Sequence, residues 1–198
     1  MKTNKLFADI KRDLIVYILL MVLSIVLSVS FVTIVSKPRN ETTLTIFMGT
    51  YTTNIENFKR ELEKEKPNYL KEINIRCFSP SSKNYTYAYR SIGLKGADII
   101  ALPFSKIDSQ TVVDFYAKIT NEYIEKYFEN YDVLTISNSV YGVKIHEKGQ
   151  ANGEFLSFYD VESNDDDYYL FYKKNSLHIG DITSSKYETA FILSKVFR

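Results

Sequence analysis

The chain has 198 residues, 25 of them basic and 24 acidic, for a net charge of +1, and it carries one cysteine, 16 tyrosines, 13 phenylalanines and no tryptophan. A single cysteine excludes an intramolecular disulfide, and balanced charge without a basic stripe argues against nucleic acid as a partner. Abundant tyrosine supplies broad apolar faces with polar tips, which suit both half-buried packing and ligand contact.

In chain order, residues 1–13 form a short basic N-terminus. From Leu14 to Ser36 runs LIVYILLMVLSIVLSVSFVTIVS, 23 residues without a charge. As a helix it is about 34 Å long at roughly 1.5 Å per residue, enough to cross a hydrocarbon core of about 30 Å. Lipid offers no partner for unpaired backbone groups, so a spanning segment of this kind must be helical. Lys2, Lys5, Lys11 and Arg12 precede the span, against Lys37 and Arg39 after it. That bias predicts a cytoplasmic N-terminus and an extracytoplasmic remainder. Ser28-Val29-Ser30 offers a small-x-small cleavage site and hence the alternative of a signal peptide, but the apolar run is longer than a signal core and continues past that site.

A polar linker, residues 37–43, leads to one domain over residues 44–198. With the four basic residues and two aspartates ahead of the span set aside, 21 basic and 22 acidic residues remain. TLTIFMG (Thr43–Gly49) reads as a strand that stops at glycine. Thr53 and Glu56 form a capping box for a helix carrying Ile55, Phe58 and Leu62, which ends before Pro67. INIRCF (Ile73–Phe78) is a second strand, with Cys77 on the side of Ile73 and Ile75, a buried hydrophobe more than a reactive thiol. YTYAYRSIGL reads as a short helix. ADIIALP (Ala97–Pro103) is a continuous apolar run, the pattern of a strand covered on both faces. Two helical stretches follow from Ser109, the first carrying Val112, Val113, Tyr116 and Ile119, the second capped by Thr120. Asp132–Ile136 and Val140–Ile145 flank Ser137-Asn138-Ser139 as a hairpin. FLSFYDV is a short apolar element, DYYLFYKK (Asp167–Lys174) a further strand, and Ser185 caps a last helix with Tyr187, Ala190, Phe191 and Leu193 inward. Strands alternating with helices predict an α/β domain, a mostly parallel sheet with helices on both faces plus the antiparallel hairpin.

Catalytic constellations are largely absent. His146 and His178 lack the spacing of a metal pair, and no nucleophile elbow, Walker loop or dinucleotide fingerprint is present. Asp165-Asp166-Asp167 reads as a solvated turn, because consecutive acids lack the alternation of a calcium loop. The expectation is a non-enzyme without cofactor or metal. In open α/β sheets ligands lie beyond the carboxyl ends of the strands, and here those ends carry Gly49-Thr50-Tyr51-Thr52, Ser79-Pro80-Ser81-Ser82 and Pro103-Phe104-Ser105.

TLTIFMG with its loop, ADIIALPFSKI, SVYGVKIH and YYLFYKKNSL together resemble, over about Leu44 to Leu177, the first lobe of the carbohydrate-binding type of extracellular solute-binding protein that serves ABC importers. The resemblance implies one periplasmic-binding-protein-like lobe, a small polar ligand such as a sugar, and a permease or other membrane complex as partner. The alternative is an accessory or protein-interaction subunit that keeps the fold without the ligand. The first and third strands are expected to flank the second. Thr50, Tyr51 and Ser105 are then the expected ligand residues, joined by Tyr141 from the hairpin. In intact cells, added protease is expected to degrade the C-terminal domain and leave the N-terminus protected. Protection of the C-terminal domain would overturn the orientation.

Overall fold

The computed structural model describes residues 14, 16–28, 40–50, 55–149, 166–179 and 188–197. Tyr51, the Thr53 cap, FLSFYDV, Asp165, Ser185 and Tyr187 lie outside them. The chain divides into two compact units, Met1–Pro38 and Arg39–Arg198. In the first, residues 16–28 are helical, the Ser28 hydroxyl donates to the Ser24 carbonyl at 2.8 Å, and apolar side chains such as Tyr17, Leu19 and Leu27 are exposed. Among the described residues no helix is long and apolar enough to cross a membrane; residues 29–36 of the expected span are not among them.

The second unit is built on one sheet. Its strands are β1 (Thr43–Met48), β2 (Glu72–Cys77), β3 (Ile99–Pro103), β4 (Val133–Ile136), β5 (Ser139–His146) and β6 (Tyr168–Tyr172), in the order β2-β1-β3-β6-β5-β4. β1 pairs parallel with β2 and β3, whereas the β3–β6, β6–β5 and β5–β4 pairings are antiparallel. Two expectations are corrected here. β1, not β2, is the strand flanked by the other two, and three of the five strand pairings are antiparallel, so the sheet is mixed instead of mostly parallel. The sequence of β2 explains its place: Arg76 is exposed and Asn74 half-buried, which an edge tolerates. In β1, Leu44, Ile46, Phe47 and Met48 are fully buried, and such a strand needs cover on both faces.

Helices supply that cover. On one face lie α1 (Ile55–Glu65), α4 (Asn121–Tyr127) and α5 (Thr189–Leu193), around a core that includes Leu44, Ile46, Phe58, Leu62, Leu170, Tyr172 and Phe191. Phe58 and Leu62, one turn apart, are the buried residues of α1, and its charged residues ring the outside. On the other face lie α2, in three parts (Tyr85–Ala88, Tyr89–Gly93 and Leu94–Gly96), and α3 (Ser109–Phe115), around Phe47, Ile100, Leu102 and Phe171. The middle of α2 is a wide turn in which the Leu94 amide bonds to the Tyr89 carbonyl five residues back.

Local signals explain the boundaries. Thr120 caps α4 by accepting from the Tyr123 amide, and Asp108 caps α3 by accepting from the Thr111 amide. α3 ends sooner than its apolar spacing predicts. Tyr116 is extended, bridges antiparallel to Lys173, and leaves Ile119 to bond the Val140 carbonyl at 2.8 Å. Sheet pairing of residues 116–119 therefore replaces the helix. Ser137 and Asn138 turn the hairpin with φ of 49° and 61°, the left-handed pair that a two-residue connection requires.

Cys77 lies against the α1 side of the sheet with Ile73 and Ile75. Burial pushes its thiol pKa up to about 12, so almost no thiolate exists at neutral pH. Alkylation of the folded protein at neutral pH is expected to be slow and to become fast on denaturation. Equal rates in both states would show the β2 register to be wrong.

Candidate functional site

Because β6 runs antiparallel to both neighbours, one edge of the sheet gathers the carboxyl ends of β1, β2, β3 and β5 and the start of β6. The register puts Pro103 opposite Tyr168 and Tyr168 opposite His146. At the end of β1 the Gly49 amide donates to the Ala101 carbonyl at 2.8 Å, and the Phe78 amide to the Met48 carbonyl at 2.9 Å. A Cβ at Gly49 would lie 2.6 Å from the Tyr85 hydroxyl and 3.2 Å from the Ala101 carbonyl oxygen. Glycine at this position is what lets the first turn of α2 bring Tyr85 down onto the strand end.

Tyr85 is 5% exposed, and its buried hydroxyl has no hydrogen-bond partner among the described residues. Burial first, and then the neighbouring Tyr89 and Tyr168, hold its pKa well above the ordinary tyrosine range. The phenol is therefore a neutral donor at any physiological pH. Other core tyrosines are paired: Tyr89 and Tyr116 share a hydroxyl bond of 2.7 Å, and the Tyr172 hydroxyl donates to Ser194 at 2.8 Å. Around Tyr85 the rings form an aromatic wall. Tyr85 stacks on Tyr89 at 6.2 Å, and Phe47 stacks on Phe78 at 5.8 Å.

The β3–β6 corner is tied by two aspartates. Asp166 accepts from the Ser105 amide at 3.0 Å, and the Phe104 amide donates to the Asp167 carbonyl at 2.8 Å. The Asp167 carboxylate accepts from the Lys148 amide at 2.8 Å and meets the Lys144 ammonium at 3.2 Å. Instead of a purely solvated turn, Asp166 and Asp167 latch three segments together. Burial raises the Asp167 pKa, but the Lys148 amide and Lys144 outweigh it and hold the carboxyl below its ordinary range.

Of the expected ligand residues, Thr50 and Ser105 stand on this edge, Thr50 buried and Ser105 exposed. Tyr51 lies outside the described residues. Tyr141 is not brought to them. It is 3% exposed, packs in the core under α2 and α3, and precedes Gly142, which is level with Phe171 and Ile100 in the middle of the sheet. The serines after β2 turn on themselves, with the Ser81 and Ser82 amides donating to the Ser79 hydroxyl and carbonyl. Sequence reasoning misses Tyr85 and the aspartate latch. The first is signalled by Tyr85, Ala88 and Ile92 recurring at helical spacing, which turns Tyr85 toward the sheet.

No family model matches the chain, and no curated protein matches it. Among solved structures the chain is similar to the maltose/maltodextrin-binding domain MalE from Bdellovibrio bacteriovorus bound to maltotriose, with a TM-score of 0.36 and 14% identity over 52% of this chain. The likeness spans 28% of that chain.

The latch has a pH signature. A carboxyl whose folded pKa is depressed contributes stability above its unfolded value and loses it as the pH falls through the folded one. The protein is therefore expected to lose stability as the pH drops below the ordinary aspartate range. Asp167→Asn should lower the melting temperature at neutral pH and flatten the acid limb of a pH–melting curve. An unchanged acid limb would remove Asp167 from the latch.

Proposed function

We propose that the chain is a membrane-anchored, extracytoplasmic, solute-binding-like domain that takes a small polar ligand, a carbohydrate first among them, beside an ABC-type importer, and that it is not an enzyme. The observation that carries the ligand reading is the Tyr85 hydroxyl, buried against Gly49 at the carboxyl end of β1 with no partner among the described residues. A buried hydroxyl left unpaired costs about 1–3 kcal/mol, a cost that a hydroxylated ligand at this edge removes by accepting its hydrogen bond. Aromatic rings beside a directed hydroxyl suit a sugar, whose faces are apolar and whose rim is polar. The anchor is supported by the uncharged 23-residue run and by the exposed apolar side chains of residues 16–27.

A second reading, an interaction subunit without ligand, is favoured by Phe104. Its ring is 52% exposed at the same edge, against Tyr169 at 5.9 Å. An exposed aromatic at a strand end suits a protein contact as well as a sugar face.

Tyr85 is 5% exposed, so ligand capture requires its surroundings to shift, and one lobe encloses little of a ligand. Affinity is therefore expected to lie on the order of micromolar to millimolar. Ligand-observed NMR on the full-length protein in nonionic detergent, with glucose, maltose, maltotriose and short peptides, provides the test. Saturable sugar binding is expected, weakened by roughly two- to tenfold in Tyr85→Phe. The same variant should be as stable as the parent or up to about 1 kcal/mol more so, since it loses an unpaired buried hydroxyl. If no probe binds, or if Tyr85→Phe binds equally well, the ligand site fails and the interaction-subunit reading replaces it.

A further inference from the structure

The opposite end of the sheet carries a hollow that the ligand reading does not use. It has a volume of about 380 Å³ and lies where Thr43 and Thr45 of β1, the end of α2 at Lys95 and Gly96, Asp98 and the turn after β6 meet. Asp98 builds it. One carboxylate oxygen accepts from the Thr45 amide at 2.8 Å and the other from the Ser176 hydroxyl at 2.6 Å. The Asp98 carbonyl accepts from the Lys173 amide at 3.1 Å. This carboxylate is consumed by neutral donors and by joining β1, the start of β3 and the turn after β6.

What remains on the walls is mostly donors. The Lys173 ammonium gives one hydrogen to the Lys95 carbonyl at 2.6 Å, the last turn of α2, and keeps two. The Lys95 ammonium makes no hydrogen bond or ion pair among the described residues, and no ion pair there joins Asp98 to either lysine. Asn175 adds an amide. The Thr43 hydroxyl on the same wall is buried with no partner among the described residues. Lys95 also borders a second, shallower hollow on the outer side of α2 that is lined by Lys83 and Arg90 and flanked by Tyr87, whose ring is 77% exposed. Four cations thus face two adjoining hollows whose lining contains one acid, Asp98, with both oxygens engaged.

We infer that the Lys95–Lys173 hollow is a binding site for an oxyanion, a phosphate or carboxylate group, distinct from the carboxyl-edge ligand site. Two lysines lining a hollow whose one carboxylate is engaged by neutral donors attract a diffusing anion and supply charge-assisted hydrogen bonds. Tyr87 beside the second hollow provides a face for an apolar body attached to the anion. Phosphate chemistry has two sources, a soluble ester or an anionic lipid headgroup, and the experiment separates them.

Full-length protein in nonionic detergent is titrated by calorimetry at constant ionic strength with inorganic phosphate, phenyl phosphate and, as a neutral control, phenol. In a second arm phosphatidylglycerol is added to the micelles and followed by its effect on the melting temperature. Saturable binding of phosphate, tighter for phenyl phosphate and absent for phenol, is the outcome expected for a soluble ester. Stabilisation by phosphatidylglycerol without phosphate binding assigns the site to a headgroup. In either arm Lys95→Gln, which removes an ammonium without a hydrogen bond or ion pair among the described residues, should weaken the effect by roughly tenfold. Lys173→Gln, which removes the charge and keeps a neutral N–H donor one bond shorter, should do the same. Tyr85→Phe should change neither arm, so failure at one end of the sheet is distinguishable from failure at the other. No response in either arm, or a response that Lys95→Gln and Lys173→Gln leave intact, overturns the site.

Discussion

The pairing on which the rest of the domain depends is the antiparallel insertion of β6 between β3 and β5. Every residue of Tyr168–Tyr172 is buried, so the strand is covered above and below and hydrogen-bonded on both sides. Alternation sends Tyr168, Leu170 and Tyr172 to the α1 face and Tyr169 and Phe171 to the other. At about 1.5–3 kcal/mol for each large side chain buried, this short strand is a major source of stability. Its two ends also organise the two polar regions. Asp167, just before it, ties the carboxyl edge, and Lys173, just after it, reaches the last turn of α2.

Tyrosine hydroxyls show how the core manages polarity. Tyr172 is fully buried and donates to Ser194, whose own hydroxyl donates to the Ala190 carbonyl at 2.6 Å, a chain that fixes α5 against the sheet. Tyr116 is nearly as buried and is bonded to Tyr89. Against that background Tyr85 stands out for a hydroxyl without a partner among the described residues, not for its ring, which stacks like its neighbours. The polar ends of the sheet differ in kind as well. At the β6 start, carboxylates engage amides and a lysine. At the β1 start the carboxylate is already engaged and the lysines face open space.

Much of this fold is legible in the sequence wherever the signal is local. The fully apolar run of β3, the glycine closing β1, the Thr120 cap and the Ser137-Asn138 turn each state a conformation within a few residues. Strand order is not local, and sequence pattern misplaces it. That β1 lies between β2 and β3 agrees with its burial on both faces, and that β6 enters antiparallel follows from its pairing with β3, a strand far away in the chain. The same limit affects the site. Tyr141 groups with the ligand loops in sequence because it follows a turn, but the turn it follows lies at the other end of β5 from His146. Tyr116 has helical spacing, yet the free edge offered by Lys173 captures it. The Tyr85 hydroxyl is invisible as a site in sequence because its character, burial without a partner among the described residues, comes from packing.

The wide turn at Tyr89–Gly93 sets the phase of α2. An ordinary helix advances each residue by about 100° around its axis. One extra residue in a turn therefore rotates everything before it, relative to everything after it, by about that angle. Gly93 packs on Phe47 below the turn, with a Cβ there 3.3 Å from the ring, and Tyr85 reaches the end of β1 above it. Both can face the sheet only because the winding slips between them. Winding the same residues as a regular helix would swing the phenol away from Gly49, so the irregularity is a timing element that keeps two contacts of one helix in step.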